Sequence, residues 1–232
     1  MKKLTDYDLN FCVSRIPKDV RHLMSEYSLF IGGGFIRNTI SGEKVNDIDL
    51  FGHDETNLKL AAQEIAMSRK GKIHETKYAL TVICSPRIPV QFIKRWLYSD
   101  IETLCNEFDF TVCQAAIQVQ SDKDDTGKII NVWSSFCSDY FYSDLAAKRL
   151  VYTSPKRDEE AGGSFLRMRK FLRRGYNIQA SSMAGIVARL ISKTQVRNFS
   201  DEEHVKTVIT GLLREVDPLT VVDGLDLIDE HE

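Results

Sequence analysis

Residues 28–51 hold the most restrictive pattern in this chain. An apolar run, Ser28-Leu29-Phe30-Ile31, enters Gly32-Gly33-Gly34 and then Phe35-Ile36-Arg37-Asn38. Fourteen residues after Gly33 comes Asp47-Ile48-Asp49-Leu50. The apolar run is strand-sized, the glycines demand a turn, and the segment to Ser41 has the length of a short helix. Backbone N–H groups at such a turn are free to hold phosphate, and a side chain there would block close approach. Arg37 lies in the first helical turn and can add charge against a triphosphate. Asp47 and Asp49 are two apart on a predicted strand, so both carboxylates face one way. Paired carboxylates are hard oxygen ligands for divalent cations. Two such ions can activate an attacking hydroxyl and stabilise a leaving pyrophosphate.

The rest of the chain frames this segment. Pro17 opens a predicted helix to Glu26, and Glu55–Arg69 has helical spacing at Leu58, Ala61, Ala62 and Ile65, with Gly71 as its C-cap glycine. Strands are expected over 77–84, 90–93 and 129–133, and Asp100 caps a helix over 101–107. Phe108–Val119 reads as one strand with Asp109, Thr111 and Cys113 on a common face. From 135 onward the pattern is mostly helical, over 135–149, 163–175, 181–193 and 201–216. The expected fold class is α+β, with a mixed α/β domain over 1–134 and a helical region over 135–232.

Composition narrows the functional classes. Hydrophobic residues are 43% and charged residues 28%, with a net charge of -2, so no overall field demands nucleic acid or membrane. No apolar run approaches transmembrane length, and Asp6, Asp8 and Asn10 interrupt the place of a signal peptide. A cytoplasmic protein without membrane association is expected. Five cysteines, an odd number with no C-x-x-C pair, argue for reduced, mostly buried thiols rather than disulfides or a zinc site.

The motifs resemble those of the DNA polymerase β-like nucleotidyltransferase superfamily. Within it, they are most similar to the head domain of class II tRNA CCA-adding enzymes and bacterial poly(A) polymerases. That family carries G-G-x-V-R-D, a later L-G and D-x-D, at the offsets found here. Asp109-Phe110-Thr111-Val112 resembles its R-R-D-F-T-[IV]-N-A. Asp144-Leu145, Arg167-Met168-Arg169-Lys170-Phe171 and Gly175-Tyr176 resemble its neck segment. The resemblance implies a mixed sheet with flanking helices and a small helical region behind it. It further implies a nucleoside triphosphate substrate, Mg²⁺ or Mn²⁺ on Asp47, Asp49 and Asp109, and nucleotide contacts from Gly33, Gly34, Arg37, Thr111, Arg167 and Lys170.

The departures are specific. Glu107 and Phe108 stand where the family has two arginines, and Gln91 stands where it often has a glutamate. The base-selecting E-D-x-x-R would fall on Glu160 to Ser164, where only Glu160 matches. The chain ends at Glu232, where a CCA-adding enzyme continues into body and tail. The expected activity is therefore nucleoside monophosphate transfer from NTP to an acceptor hydroxyl, but not CCA addition. The alternative is a degenerate fold that binds nucleotide or protein without turnover.

The third acid is open between Asp109, whose other implied role is a hydrogen bond to the ribose, and Glu75. Charge is also uneven along the chain. Residues 161–200 hold eight Lys or Arg and no acid; residues 201–232 hold ten acids and only Lys206 and Arg214 as bases. The basic helices 163–175 and 181–197 are either a surface for RNA or solvated faces neutralised by the acids that follow. The acidic tail is a candidate dock for a protein partner.

Overall fold

The computed structural model describes residues 2–123, 129–156, 162–192 and 200–216. The chain divides into two compact units. One comprises residues up to Phe108 together with Val112–Leu145; the other comprises Asp109–Thr111 and the chain from Ala146 onward.

The first unit is built on a seven-stranded mixed sheet. Its strands are β1 (Phe30–Gly32), β2 (Ile48–Phe51), β3 (Lys72–Glu75), β4 (Ala79–Ile83), β5 (Val90–Ile93), β6 (Ala115–Lys123) and β7 (Ile129–Cys137), in the order β3-β4-β5-β2-β1-β6-β7. Only β2 and β5 run parallel; every other neighbouring pair is antiparallel. Helices α1 (Asp6–Arg15), α2 (Lys18–Glu26), α3 (Gly34–Ser41), α4 (Glu55–Arg69), α5 (Ile101–Asn106) and α6 (Phe141–Ala146) surround it.

Local chemistry explains the boundaries. Asp54 and Asp100 accept from the N–H groups of Asn57 and Thr103 at 2.8 and 2.7 Å, which starts α4 and α5. At the end of α4, the left-handed residue is Lys70 (φ 53°), not Gly71. Gly71 is needed for space instead, because a Cβ there would lie 2.9 Å from the Ile83 carbonyl oxygen. Helix α1 was not expected, although its signal is present: Thr5 accepts from Asp8 N–H and donates to the Asp8 carboxylate, a reciprocal cap. Strand β3 was also unforeseen, since its four residues are all exposed.

Two expected elements do not form as single ones. Phe108–Val119 is not one strand. Thr111–Cys113 is a 3₁₀ turn and β6 begins only at Ala115, so Asp109, Thr111 and Cys113 do not share a strand face. Residues 135–149 are not one helix either. β7 continues to Cys137, because Ala115–Lys123 and Ile129–Cys137 pair residue for residue, and α6 follows as a separate short element.

Alternation sorts the sheet faces. Ile48 and Leu50 are fully buried, while Asp49 and Phe51 point the other way. Phe51 there joins a core of Phe30, Tyr98, Ile101, Leu104, Cys105 and Ala116. All five cysteines are free, and four are buried. Among the described residues, no helix is long and apolar enough to cross a membrane.

In the second unit, α7 (Gly163–Arg173) packs with α8 (Ala180–Ser192) and α9 (Glu202–Val216). Strands β8 (Arg149–Leu150) and β9 (Asn177–Ile178) pair in parallel. Segment 109–111 is stitched to 151–153 by two backbone bonds: Thr111 N–H to the Val151 carbonyl at 3.1 Å, and Thr153 N–H to the Asp109 carbonyl at 3.0 Å. Phe110, fully buried, meets the rings of Tyr152 and Phe171 at 6.0 and 5.6 Å.

Candidate functional site

Strand β1 delivers the chain into the glycine turn, and β2 begins at the acidic pair beside it. The antiparallel register Phe30↔Phe51 and Ile31↔Leu50 sets the end of β1 next to the start of β2. Gly33 has φ 68° and ψ -116°, a conformation restricted to glycine. Its own N–H donates to the Ala115 carbonyl at 2.9 Å and is not available to a ligand, contrary to the simplest reading of the turn. The first intrahelical bond of α3 is Arg37 N–H to the Gly33 carbonyl, at 3.2 Å. The amides of Gly34, Phe35 and Ile36 precede that bond and are the ones a helix N-terminus presents to an anion.

The glycines also make room for Phe108. A Cβ on Gly32 or Gly33 would sit 3.1 or 3.3 Å from its ring, and the ring packs edge-on against Phe51 at 6.0 Å. Where the resembled family has an arginine, this chain places an apolar ring against the turn.

Arg37 is 6% exposed. Its Nε donates to Asn38 Oδ1 at 3.0 Å, and one terminal nitrogen to Cys113 Sγ at 3.3 Å. Asn38 in turn donates to the Lys44 carbonyl at 2.9 Å, tying the guanidinium to the segment that leads into Asp47. Asn38 and Cys113 were not singled out for any role. The only signal for Asn38 was its place after the arginine in the glycine motif.

Asp47 and Asp49 are brought together. β2 begins at Ile48, so Asp47 lies one residue before the strand. Asp49 pairs in register with Gln91 on β5, and Gln91 Nε2 donates to Asp47 Oδ2 at 3.4 Å. Burial and the neighbouring Asp47 charge push the Asp49 carboxyl up to about 7, with Arg37 opposing. Two half-buried carboxylates crowded together are a state that a bound cation relieves. Asn46 adds a buried Oδ1 with no hydrogen-bond partner among the described residues.

Asp109 and Thr111 belong to the second unit and are 2% and 4% exposed. The Asp109 carboxylate accepts from Arg167 Nε at 2.6 Å, so its charge is already neutralised. Lys170 is exposed on α7. Glu75 sits on the outermost strand, ion-paired with Lys94. β4 and β5 separate it from β2, a span of roughly 14 Å, and Glu75 is no third ligand. Among the described residues, no three His, Cys, Asp or Glu side chains gather as a metal-binding group. His53 stacks edge-on against Phe30 at 4.9 Å. Of the basic helix expected over 181–197, Arg189 donates to the Pro155 carbonyl, while Lys193 and Arg197 lie outside the described residues. Glu160, Ala161 and the acidic residues from 217 onward also lie outside them.

Comparison with solved structures identifies the fold. The Thermotoga maritima CCA-adding enzyme complexed with tRNA superposes with a TM-score of 0.56 at 17% identity, covering 89% of this chain and 48% of that one. A CCA-adding enzyme in complex with ATP gives a TM-score of 0.57 at 15% identity, covering 92% and 49%. The chain therefore has the polymerase β-like nucleotidyltransferase fold and spans about half the length of these enzymes. A curated relative, Gabija anti-defense 2 of Bacillus phage SPbetaL7, is 24% identical over 116 residues, which is 50% of this chain and 29% of the relative. The model of the Gabija anti-defense 2 family protein matches residues 3–148, and the chain belongs to that family.

Proposed function

We propose that this protein transfers a nucleoside monophosphate from an NTP to an acceptor hydroxyl, and that this transfer is how it counters the defence for which its family is named. The observation that carries the reading is the placing of Asp47 and Asp49 at the start of β2, beside the glycine turn and against Gln91 of β5. The amides of Gly34, Phe35 and Ile36 would receive the triphosphate, and buried Arg37 holds positive charge near the acids. The acceptor hydroxyl would attack the α-phosphorus and release pyrophosphate. Asp47 and Asp49, with the Asn46 carbonyl oxygen nearby in sequence, are hard oxygen donors suited to Mg²⁺ or Mn²⁺. Such a cation would supply charge neutralisation to the triphosphate. The resemblance assigns nucleotide contacts to Thr111, Arg167 and Lys170, and either a metal or a ribose contact to Asp109. Because Arg167 neutralises Asp109, the ribose role fits its chemistry better than that of a third ligand. The exposed cations of α7 favour an RNA acceptor.

The test is incubation of the purified chain with each α-labelled NTP, Mg²⁺ or Mn²⁺, and bulk RNA or host protein. Label should pass to a macromolecule, and Asp47→Asn should lower the rate by about a thousandfold or more, with its fold retained. The same substitution should abolish protection of a phage on a host carrying Gabija. NTP binding without any product would instead favour a binding module.

A further inference from the structure

A second built feature of the first unit lies apart from the acidic pair. It is an open cleft of about 570 Å³, lined by Pro17–Asp19 at the start of α2, Arg69 at the end of α4 and Pro86–Ile88 before β5. That size falls within the roughly 300–1,000 Å³ of small-molecule sites.

Its charges are arranged in a chain. The Arg69 side chain is 2% exposed and grips Asp19 through Nε and a terminal nitrogen at 2.8 and 3.0 Å. Its other terminal nitrogen donates to the Ile88 carbonyl at 3.4 Å. The Asp19 carboxylate also accepts from Arg87 at 3.0 Å, and the Arg87 side chain remains 58% exposed. One carboxylate thus serves two guanidiniums, and Lys18 adds a third cation. The lining thus holds three cations, Lys18, Arg69 and Arg87, against the one carboxylate of Asp19. Helix α2 opens on Pro17, which offers no side-chain cap; the Asp19 carboxylate accepts from the Val20 N–H at 3.0 Å and offsets part of the positive charge of that N-terminus. The loop is also tied to the acidic strand, since Ile48 N–H donates to the Pro89 carbonyl at 3.0 Å.

We propose that this cleft binds a phosphate monoester, with Arg87 and Lys18 as its ligands and the Arg69–Asp19 pair holding Arg87 in place. A monoester approaches two negative charges at neutral pH, since its second pKa is about 6, and this matches the charge left over in the lining. A free nucleotide and the 5′ end of a strand both carry that group. Service as an acceptor subsite rests on the nucleotidyl-transfer reading; the binding does not.

The experiment is calorimetric titration of the full chain with two probe pairs. One is adenosine 5′-monophosphate against adenosine; the other is a 5′-phosphorylated against a 5′-hydroxyl hexaribonucleotide. The phosphorylated member should bind at least tenfold more tightly in one pair or both, and which pair responds identifies the source. The preference should vanish in the Lys18→Ala/Arg87→Ala double variant, whose melting curve should match the parent because both side chains are exposed. It should persist in Asp47→Asn. No preference in the parent chain overturns the proposal. So does a preference that survives the double variant, or one that Asp47→Asn removes, because the phosphate then sits at the glycine turn. A preference that persists in a chain without transfer activity sustains the cleft and sinks the catalytic reading.

Discussion

Asp49 shows how one side chain couples the site to stability. Its folded-state carboxyl is raised to about 7 by burial and by Asp47, whereas in an unfolded chain it titrates near 4. Between those values the folded state holds the proton more tightly. Stability from this group is therefore fully present below about pH 4 and is lost as pH rises through 7. Asp49→Asn removes the penalty. The variant should melt above the parent at pH 8, by on the order of 1–3 kcal/mol once partial exposure is allowed for, and the gap should close by pH 4. Added Mg²⁺ should narrow the gap at pH 8 by stabilising the parent alone. A thermal melt series at the two pH values decides it, and equal melting points at pH 8 would sink the assignment. The acidic pair was legible from its two-residue spacing. The neutral partner Gln91 was legible as a departure from the family pattern, but its hydrogen bond to Asp47 was not, because the parallel register of β2 and β5 is fixed by tertiary packing. The strand expected to carry Asp109 failed for a related reason. A local alternation pattern over 108–119 cannot reveal that 109–111 leaves the sheet and pairs with 151–153.

At the scale of elements, those whose ends are set by local chemistry were the readable ones. α4 spans Glu55–Arg69 as its spacing predicts, and β5 spans Val90–Ile93. Both are bounded by residues that act within a few positions, such as the Asp54 cap. β3 was invisible because an exposed edge strand has no apolar face to read. The β1–turn–α3 element combines both kinds of information. Its glycines were legible, but their reason was partly hidden: they admit the Phe108 ring as well as a sharp turn. Gly33→Ala should therefore cost stability twice, through a φ of 68° that a Cβ disfavours and through contact with Phe108 at 3.3 Å. Together these amount to about 2 kcal/mol or more. The variant should also weaken NTP binding, because the α3 amides shift with the turn. Gly42→Ala is the control, since its φ is also positive, at 71°, but its Cβ would meet nothing within 4 Å. Gly42→Ala should cost only the backbone strain and should leave NTP affinity unchanged. Equal affinity losses in both variants, measured by titration with a non-hydrolysable NTP, would refute the role of the turn.

At the scale of the whole molecule, the family match ends at residue 148, while the partners of segment 109–111 lie beyond it. Phe110 is fully buried, with Tyr152 and Phe171 against its ring. Asp109 is buried against Arg167. Two backbone bonds join 109–111 to 151–153. A chain cut after residue 145 keeps the whole seven-stranded sheet but strips all of these partners from one internal segment. Exposing a Phe side chain costs about 2–3 kcal/mol, and the lost backbone bonds about 1 kcal/mol each. A loss of roughly 4 kcal/mol corresponds to a fall in melting temperature on the order of 10 °C for a domain this size. The truncated chain should also bind a hydrophobic dye through the uncovered ring. Phe110→Ser separates loss of these contacts from general damage, because its cost depends on whether the second unit's partners are present. In the full chain it should destabilise by several kcal/mol, since it leaves a cavity and a buried hydroxyl. In the truncated chain it should cost almost nothing and should reduce dye binding. Melting curves of the four proteins carry the test. If truncation leaves the melting temperature within about 2 °C of the full chain, or if Phe110→Ser is equally harmful in both, then the second unit does not support segment 109–111 as its contacts imply.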